Sequence, residues 1–368
     1  MRTTVLGLTA CAIAASCAVA GCTFTPSASH TQSRVWQSRP QSKSPSAAAS
    51  TSSAAPEKLS LAQVAAGSVD LVSEEGLQGT EAAGTGIVLT PDGVVLTNNH
   101  VISGATSLTA VDIGNGHSYT ASVIGYDRSH DLALVRLHGA SGLQTLSLAA
   151  GVRVAVGDPV TALGNAGGRG GQPSTATGSI TALDRQIVAS DQFSGSSEQL
   201  SGLIQVDAPI EAGDSGGPLV NASGQVIGID TAASVGYHFQ STATEGFAVP
   251  ATQAKATADA IAAGRASATV HIGATAWLGV AVGSTDAGVA ASSGAAVIQV
   301  VSGSPAERLG LVAGDVVTSV DGVGIADPDA LTAQLDRHHP GDTVTVGWTD
   351  TSGRSQSASG PLGTGPAG

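Results

Sequence analysis

Among the residues able to do chemistry, the seven from Gly213 to Leu219, Gly-Asp-Ser-Gly-Gly-Pro-Leu, make the most demanding arrangement. A serine hydroxyl is a poor nucleophile until a base takes its proton and preorganised donors meet the oxyanion that forms. Glycines on both sides of Ser215 let the chain turn sharply enough to aim the N–H groups of Gly213 and Ser215 into one small cavity, an oxyanion hole. Two residues upstream offer the partners. His100 follows the apolar run Val94-Val95-Leu96, and a strand end is a rigid place from which to hold an imidazole, whose ordinary pKa suits general-base work near neutrality. Asp131 opens the alternating run Asp-Leu-Ala-Leu-Val, where a buried carboxylate would accept from the second ring nitrogen and fix the tautomer. Asp127, in the turn Tyr126-Asp127-Arg128-Ser129, competes for that role; Asp131 is favoured because it abuts the apolar run.

The elements that must position these groups are strands. From residue 84 to 250 the chain shows short Val/Ile/Leu-rich runs separated by Gly, Asn, Asp and Pro turns, with no long helix between them, which favours antiparallel barrels. The length allows two, over about 68–150 and 151–250. Aromatic residues are only 3% of the chain, so the core must rest on Val, Leu, Ile and Ala. Leu61, Val64 and Ala65 suit a short helix before the first strand. Residues 251–265 read as a helix with Ala251, Ala254, Ala258 and Ile261 on one face, closed by Gly264. On an extended strand His130 would point away from Asp131 and outward.

Three blocks, Leu96-Thr97-Asn98-Asn99-His100-Val101, Asp131-Leu132-Ala133-Leu134-Val135 and Gly213 to Pro218, resemble in this order the catalytic blocks of chymotrypsin-fold serine proteases. The flanking text, including Gly84-Thr85-Gly86, Leu163-Gly164-Asn165, Gly224-Gln225-Val226-Ile227-Gly228 and Gly246-Phe247-Ala248-Val249-Pro250, is similar to the HtrA (DegP-like) family. That resemblance implies a mainly β chain: a chymotrypsin-like double β-barrel over 59–250, followed by a small PDZ domain, α+β and a partly open β-barrel, over 276–357. Residues 251–275 would be a helical connector and 358–368 a disordered Gly/Pro-rich tail. It implies a P1 pocket from Pro209, Ile210, Ile229 and Ala232, small and apolar enough for aliphatic residues, with Asp230 the exception that would reverse the preference if it faced the pocket. Where relatives commonly read Asn-Pro before the nucleophile loop this chain has Glu211-Ala212. Asp214 resembles the aspartate of digestive-type trypsins, yet no Ile-Val-Gly-Gly-like start exists to pair with it. The polar loop over about 187–201 lies where the family senses ligand.

The PDZ resemblance rests on Trp277-Leu278-Gly279-Val280, Ser304-Pro305-Ala306, Ala313-Gly314-Asp315 and the helix-like Asp329 to Leu335. It implies that the N–H groups of Leu278, Gly279 and Val280 hold a peptide's C-terminal carboxylate while the peptide extends a sheet. The function implied is an exported serine endopeptidase acting on unfolded or membrane-associated proteins, without cofactor. Two other readings stand beside it: a PDZ-bearing chaperone or adaptor that binds without cleaving, and a narrow signalling protease. The family resemblance also implies a homotrimer, although residues 59–80 contain no aromatic residue to anchor one.

The remaining features concern delivery and partners. Residues 1–22 read as a signal peptide, with an apolar run from Val5 to Ala20 too short to span a bilayer. Its end, Val-Ala-Gly-Cys, resembles a bacterial lipobox, making Cys22 the expected lipidated residue and membrane anchor. Cys11 and Cys17 fall inside the removed segment, so neither a disulfide nor thiol catalysis is available to the mature chain. Residues 23–58 are rich in Ser, Ala, Pro and Thr and form a linker without a core. Beyond residue 58 there are 10 Lys and Arg against 27 Asp and Glu, a balance that argues against nucleic acid. The adjacent pair His338 and His339 lacks the spacing of a zinc site, and no metal is expected.

Overall fold

The computed structural model describes residues 58–76, 79–191, 197–231, 237–239, 245–284 and 293–367. The expected signal peptide, Cys22, the linker to residue 57, the middle of the 187–201 loop and Ala232 lie outside these residues.

The first unit opens with helix α1 (Leu61–Ala66), started by a capping box in which the Ser60 side chain accepts from the Gln63 amide and the Gln63 side chain accepts from the Ser60 amide. It continues through β1 (Ser68–Glu75), β2 (Thr80–Val88), β3 (Val94–Thr97), the single helical turn α2 (Asn99–Ile102), β4 (Ser107–Asp112), β5 (Ser118–Asp127) and β6 (Leu132–Leu137). The strands are antiparallel, and β6 pairs with both β3 and β5, which closes the sheet into a barrel. Strand β4 alternates exposed and buried as a barrel wall must, whereas β6, Leu-Ala-Leu-Val-Arg-Leu, is covered on both faces apart from Arg136.

The second unit consists of β7 (Pro159–Gly164), β8 (Ser174–Asp191), β9 (Ser197–Val206), β10 (Pro218–Asn221), β11 (Val226–Thr231), β12 (Tyr237–Phe239) and β13 (Gly246–Pro250). Pairing of β8 with β9 closes this sheet as well. Each barrel has its own apolar interior, Val69, Leu71, Val95, Ile102 and Tyr126 in the first and Val160, Ile180, Val206, Leu219 and Ala248 in the second. A larger cluster joins the two through Ile87, Leu96, Leu134, Leu203, Ile229, Phe247 and Val249.

Helix α3 (Ala251–Ala262) covers that junction with the face read from the sequence: Ala251, Ala254, Ala258 and Ile261 are buried. Gly264 follows at φ +64°. The connector then departs from a purely helical segment. Residues Val270–Ile272 form β14, which pairs with β5 of the first barrel, Val270 opposite Asp127.

The third unit comprises β15 (Ala276–Trp277), β16 (Val280–Ser284), β17 (Ala295–Val300), α4 (Pro305–Leu309), β18 (Val316–Val320), β19 (Val323–Gly324), α5 (Pro328–Leu335), β20 (Thr343–Thr349), β21 (Ser355–Pro361) and β22 (Gly363–Thr364). Ser304 and Asp327 cap α4 and α5, each ahead of a proline in the first turn. The expected disordered tail is instead ordered: β21 reaches Pro361, Leu362 is 3% exposed, β22 pairs with β15, and Ala367 exchanges backbone hydrogen bonds with Gly104 and Ala105 of the first barrel. Glycine and proline discourage helix, but they do not prevent an edge strand whose single large apolar residue finds a core. Asp336, at the end of α5, ties this unit to the first barrel: it accepts from Arg128 Nε at 2.8 Å and from the Tyr126 hydroxyl at 2.9 Å.

Candidate active site

His100 stands in α2, immediately beyond a strand hydrogen-bonded on both sides, so its backbone has little freedom. Its Nδ1 lies 2.8 Å from Asp131 Oδ2 and 3.0 Å from Oδ1, and its own amide donates to Oδ1 at 2.9 Å. Asp131 therefore fixes both the ring and the main chain of the histidine. The aspartate is fully buried and sits at φ +52°, in the left-handed region that aspartate tolerates better than most residues. It closes a short 3-10 turn over Arg128–His130, and its carbonyl accepts from Asn98 Nδ2 at 2.8 Å. His130 thus leaves Asp131 by a turn rather than by strand alternation, and it is half-buried against Asp127, 2.8 Å away, instead of exposed. The Asp127 bond raises the His130 pKa against the opposing effect of burial. The competitor aspartate is engaged there, with Ser129, His130 and Thr269.

Thr231, the last residue of β11, donates from Oγ1 to Asp131 Oδ2 at 2.9 Å. The neighbouring residue on that strand seats the nucleophile loop: Asp230 O accepts from the Gly216 amide and Asp230 N donates to Gly217 O, both at 2.8 Å. One strand of the second barrel thus bonds the acid of the first barrel and the loop carrying Ser215. With Nδ1 committed to Asp131, Nε2 is the ring nitrogen left for the serine hydroxyl.

The loop is held from several sides. Thr85 in β2 donates its amide to Ser215 O at 2.8 Å and its hydroxyl to Gly213 O at 2.8 Å, while the same oxygen accepts from the Asn165 amide at 2.9 Å. Ala212 O accepts from Gly167 N at 2.7 Å and Asp214 O from Gly217 N at 2.9 Å. In a trans peptide the N–H points opposite to the C=O, so the amides of Gly213 and Ser215 lie on the face turned away from these anchors. Gly213 has φ +101° and Gly216 φ +85°; a Cβ at the first would run into the Asn165 carbonyl and at the second into the Thr85 carbonyl. Only glycine fits either position.

Asp214 finds its partners in the Glu211 amide, 2.9 Å from Oδ2, and the Ser174 hydroxyl, 3.1 Å from Oδ1, and burial raises its pKa despite them. Asp230 is fully buried and neither of its carboxyl oxygens has a hydrogen-bond partner. Burial first, and the Asp214 charge second, hold it well above the usual carboxylate range.

Pro209 is exposed and Ile210 half-buried beside Gly246. Ile229 is fully buried in the cluster that joins the barrels and shares a strand face with Thr231. Leu278 is buried, Gly279 has φ +86° with Ser304 against the place of a Cβ, and Val280 opens β16, an edge strand with α5 packed beside it. His338 and His339 sit apart from the site; His339 stacks on His271 with ring centroids 5.1 Å apart. Thr85, Asn98, Ser174 and Thr231 are support residues that motif spacing does not reveal, since each acts on a partner distant in sequence.

A family model for the trypsin-like peptidase domain matches residues 84–229 and one for the PDZ domain matches residues 276–349. The chain is 35% identical over 316 residues to Serine protease PepD of Mycobacterium tuberculosis, covering 82% of this chain and 65% of that protein. It is 33% identical over 277 residues to Periplasmic serine endoprotease DegP of Escherichia coli K12, covering 72% of this chain and 54% of the relative. Among solved structures, HtrA-type protease AlgW with a tripeptide matches at 27% identity and a TM-score of 0.47, over 84% of this chain and 97% of that one. The chain spans between about half and two thirds of the length of the curated relatives it matches.

Proposed function

Because this chain belongs to the HtrA (DegP-like) family of serine proteases with a C-terminal PDZ domain, we propose that it is an exported serine endopeptidase acting on unfolded or damaged proteins. Ser215 Oγ attacks the scissile carbonyl as His100 Nε2 takes its proton. Asp131 holds the imidazole and stabilises the imidazolium, and the Gly213 and Ser215 amides receive the oxyanion. His100 then protonates the leaving amine, and a water, activated by the same ring, releases the acyl group from Ser215. The observation that carries this reading is the binding of the Asp131 carboxylate by the ring and amide of His100 and by Thr231 of the opposite barrel.

The finer parts of the reading follow the resemblance. Among the described residues no strand covers the outer edge of β16 beside α5, and that edge, entered through Leu278, Gly279 and Val280, suits capture of a substrate C-terminus. Residues 1–22 would direct export and Cys22 would carry a lipid holding the enzyme at the outer face of the cytoplasmic membrane. Pro209, Ile210 and Ala232 would border a pocket for aliphatic P1 residues, and the assembly would be a homotrimer. The test is cleavage of casein by the full chain beside Ser215→Ala. Cleavage lost in the variant supports the protease; no cleavage by either, with C-terminal peptides supplied, moves the reading to a binding protein.

A further inference from the structure

Two carboxyl groups lie beneath the nucleophile loop, and only Asp214 has hydrogen-bond partners. Asp230 is 0% exposed, both of its oxygens are orphaned, and among the described residues no cation forms an ion pair with either acid. A buried polar atom without a partner is costly enough to ask what it does. Its backbone is the loop's seat, through Gly216 N and Gly217 O. The titratable groups around it are few. The loop presents Asp214 and, beyond it, Glu211; β10 and β13 carry none, with Ala248 directly across from Asp230; and along its own strand Thr231 leads to Asp131 and His100. Every one of these but His100 is an acid.

We propose that Asp230 is a positioning residue whose uncharged acid form keeps the nucleophile loop in its reactive shape, so that turnover depends on a proton belonging to neither His100 nor substrate. The inference rests on the protease reading above. Asp214 stands between Gly213 and Ser215, the two oxyanion donors. While Asp230 is neutral, it adds no charge to the buried site, and Asp214 keeps its bonds to the Glu211 amide and the Ser174 hydroxyl. Once Asp230 ionises, its charge and that of Asp214 repel each other in a buried site where, among the described residues, neither has a cation partner. The loop residue gives way, because Asp230 is fixed in a sheet and Asp214 in a turn. Displacing Asp214 turns both flanking amides, and removing a single oxyanion donor already costs on the order of 10²–10³ in turnover.

The experiment follows two quantities in the full chain and in Asp230→Asn, from mildly acidic to about pH 10: kcat on a peptide substrate without titratable side chains, and the rate of Ser215 labelling by a fluorophosphonate. The reading is the ratio of the alkaline to the neutral value within each protein, whatever its absolute rate. We expect that ratio to fall to about one hundredth or below in the parent chain, with KM little changed, and to stay near one in the variant. Alkaline limbs that coincide in the two proteins would overturn the inference and leave the protease intact. Absence of labelling of the parent chain at every pH would remove the protease reading and this inference with it. Asp230→Ser, uncharged and smaller, decides the matter if the asparagine variant does not fold, with the same two outcomes.

Discussion

Replacing Thr85 with valine deletes one oxygen and keeps the shape of the side chain. That oxygen donates to Gly213 O at 2.8 Å and accepts from the Asn165 amide at 2.9 Å, and all three residues are buried. Valine satisfies neither partner, and water cannot reach them without opening the loop. A buried orphan costs about 1–3 kcal/mol, so the two together cost roughly 2–6 kcal/mol. For a unit of this size, at about 2–4 °C per kcal/mol, the melting midpoint falls by about 4–24 °C. The catalytic loss comes from the same bonds. The Asn165–Gly168 turn places Gly167 N against Ala212 O, and that contact orients the Gly213 amide. Loosening it leaves the oxyanion donor in place but no longer fixed, for which a fall in kcat of about 10–10² with nearly constant KM is expected. Thr85→Ser restores the hydroxyl without the methyl and should recover most of both quantities. The assay is therefore kcat, KM and melting midpoint for the parent, Val and Ser proteins. The reasoning fails if Val behaves like the parent, or if Ser loses as much as Val, which would make Thr85 a packing residue.

Four further outcomes are expected. Asp131→Asn presents donors to a site already filled by the His100 ring, the His100 amide and Thr231, and should lower kcat by about 10⁴ while substrate binding persists. Asp336→Ala removes the Arg128 and Tyr126 bonds between α5 and the first barrel and should speed proteolytic nicking of residues 263–275, read by mass spectrometry, with little change in the melting of the barrels. Leu362→Ala should cost about 2–4 kcal/mol in the PDZ unit, seen by calorimetry, where a disordered tail would show none. The Asp230 pKa is raised in the folded state, so that state holds a proton the unfolded chain releases above about pH 3.9, and stability falls as pH rises through that window. Asp230→Asn should accordingly melt higher than the parent near neutrality, with the advantage vanishing in acid.

Much of this architecture is visible in the amino-acid order because its signals are local. Alternation and turn residues report strands, and the His100 and Asp131 singled out upstream of the glycine-flanked serine are the pair the fold brings together. The faces of an individual strand are harder to read. In β11 every residue is buried, so hydropathy does not set the phase, and a one-residue shift exchanges Ile229 for Asp230 at the wall of the loop. Thr231 and Thr85 are silent for another reason: their partners, Asp131 and Gly213, lie 100 and 128 positions away, and only the two-barrel closure joins them. The tail misled through composition. Residues 358–368 hold one large apolar side chain, Leu362, and that one suffices because β20 and β15 offer ready edges.

The strand β14 gives the fold an order in time. It completes the outer edge of β5, yet the chain reaches it only after the entire second barrel has been made. In a chain that emerges N-terminus first, all of β6 to β13 must pass before β14 can pair with β5. During that interval the half-enzyme bearing the base exposes a bare strand edge, open to pairing with any extended neighbour. Its sealing coincides with the arrival of α3 across both barrels. The barrel that holds His100 and Asp131 is thus completed only once the segment carrying Ser215 is in place.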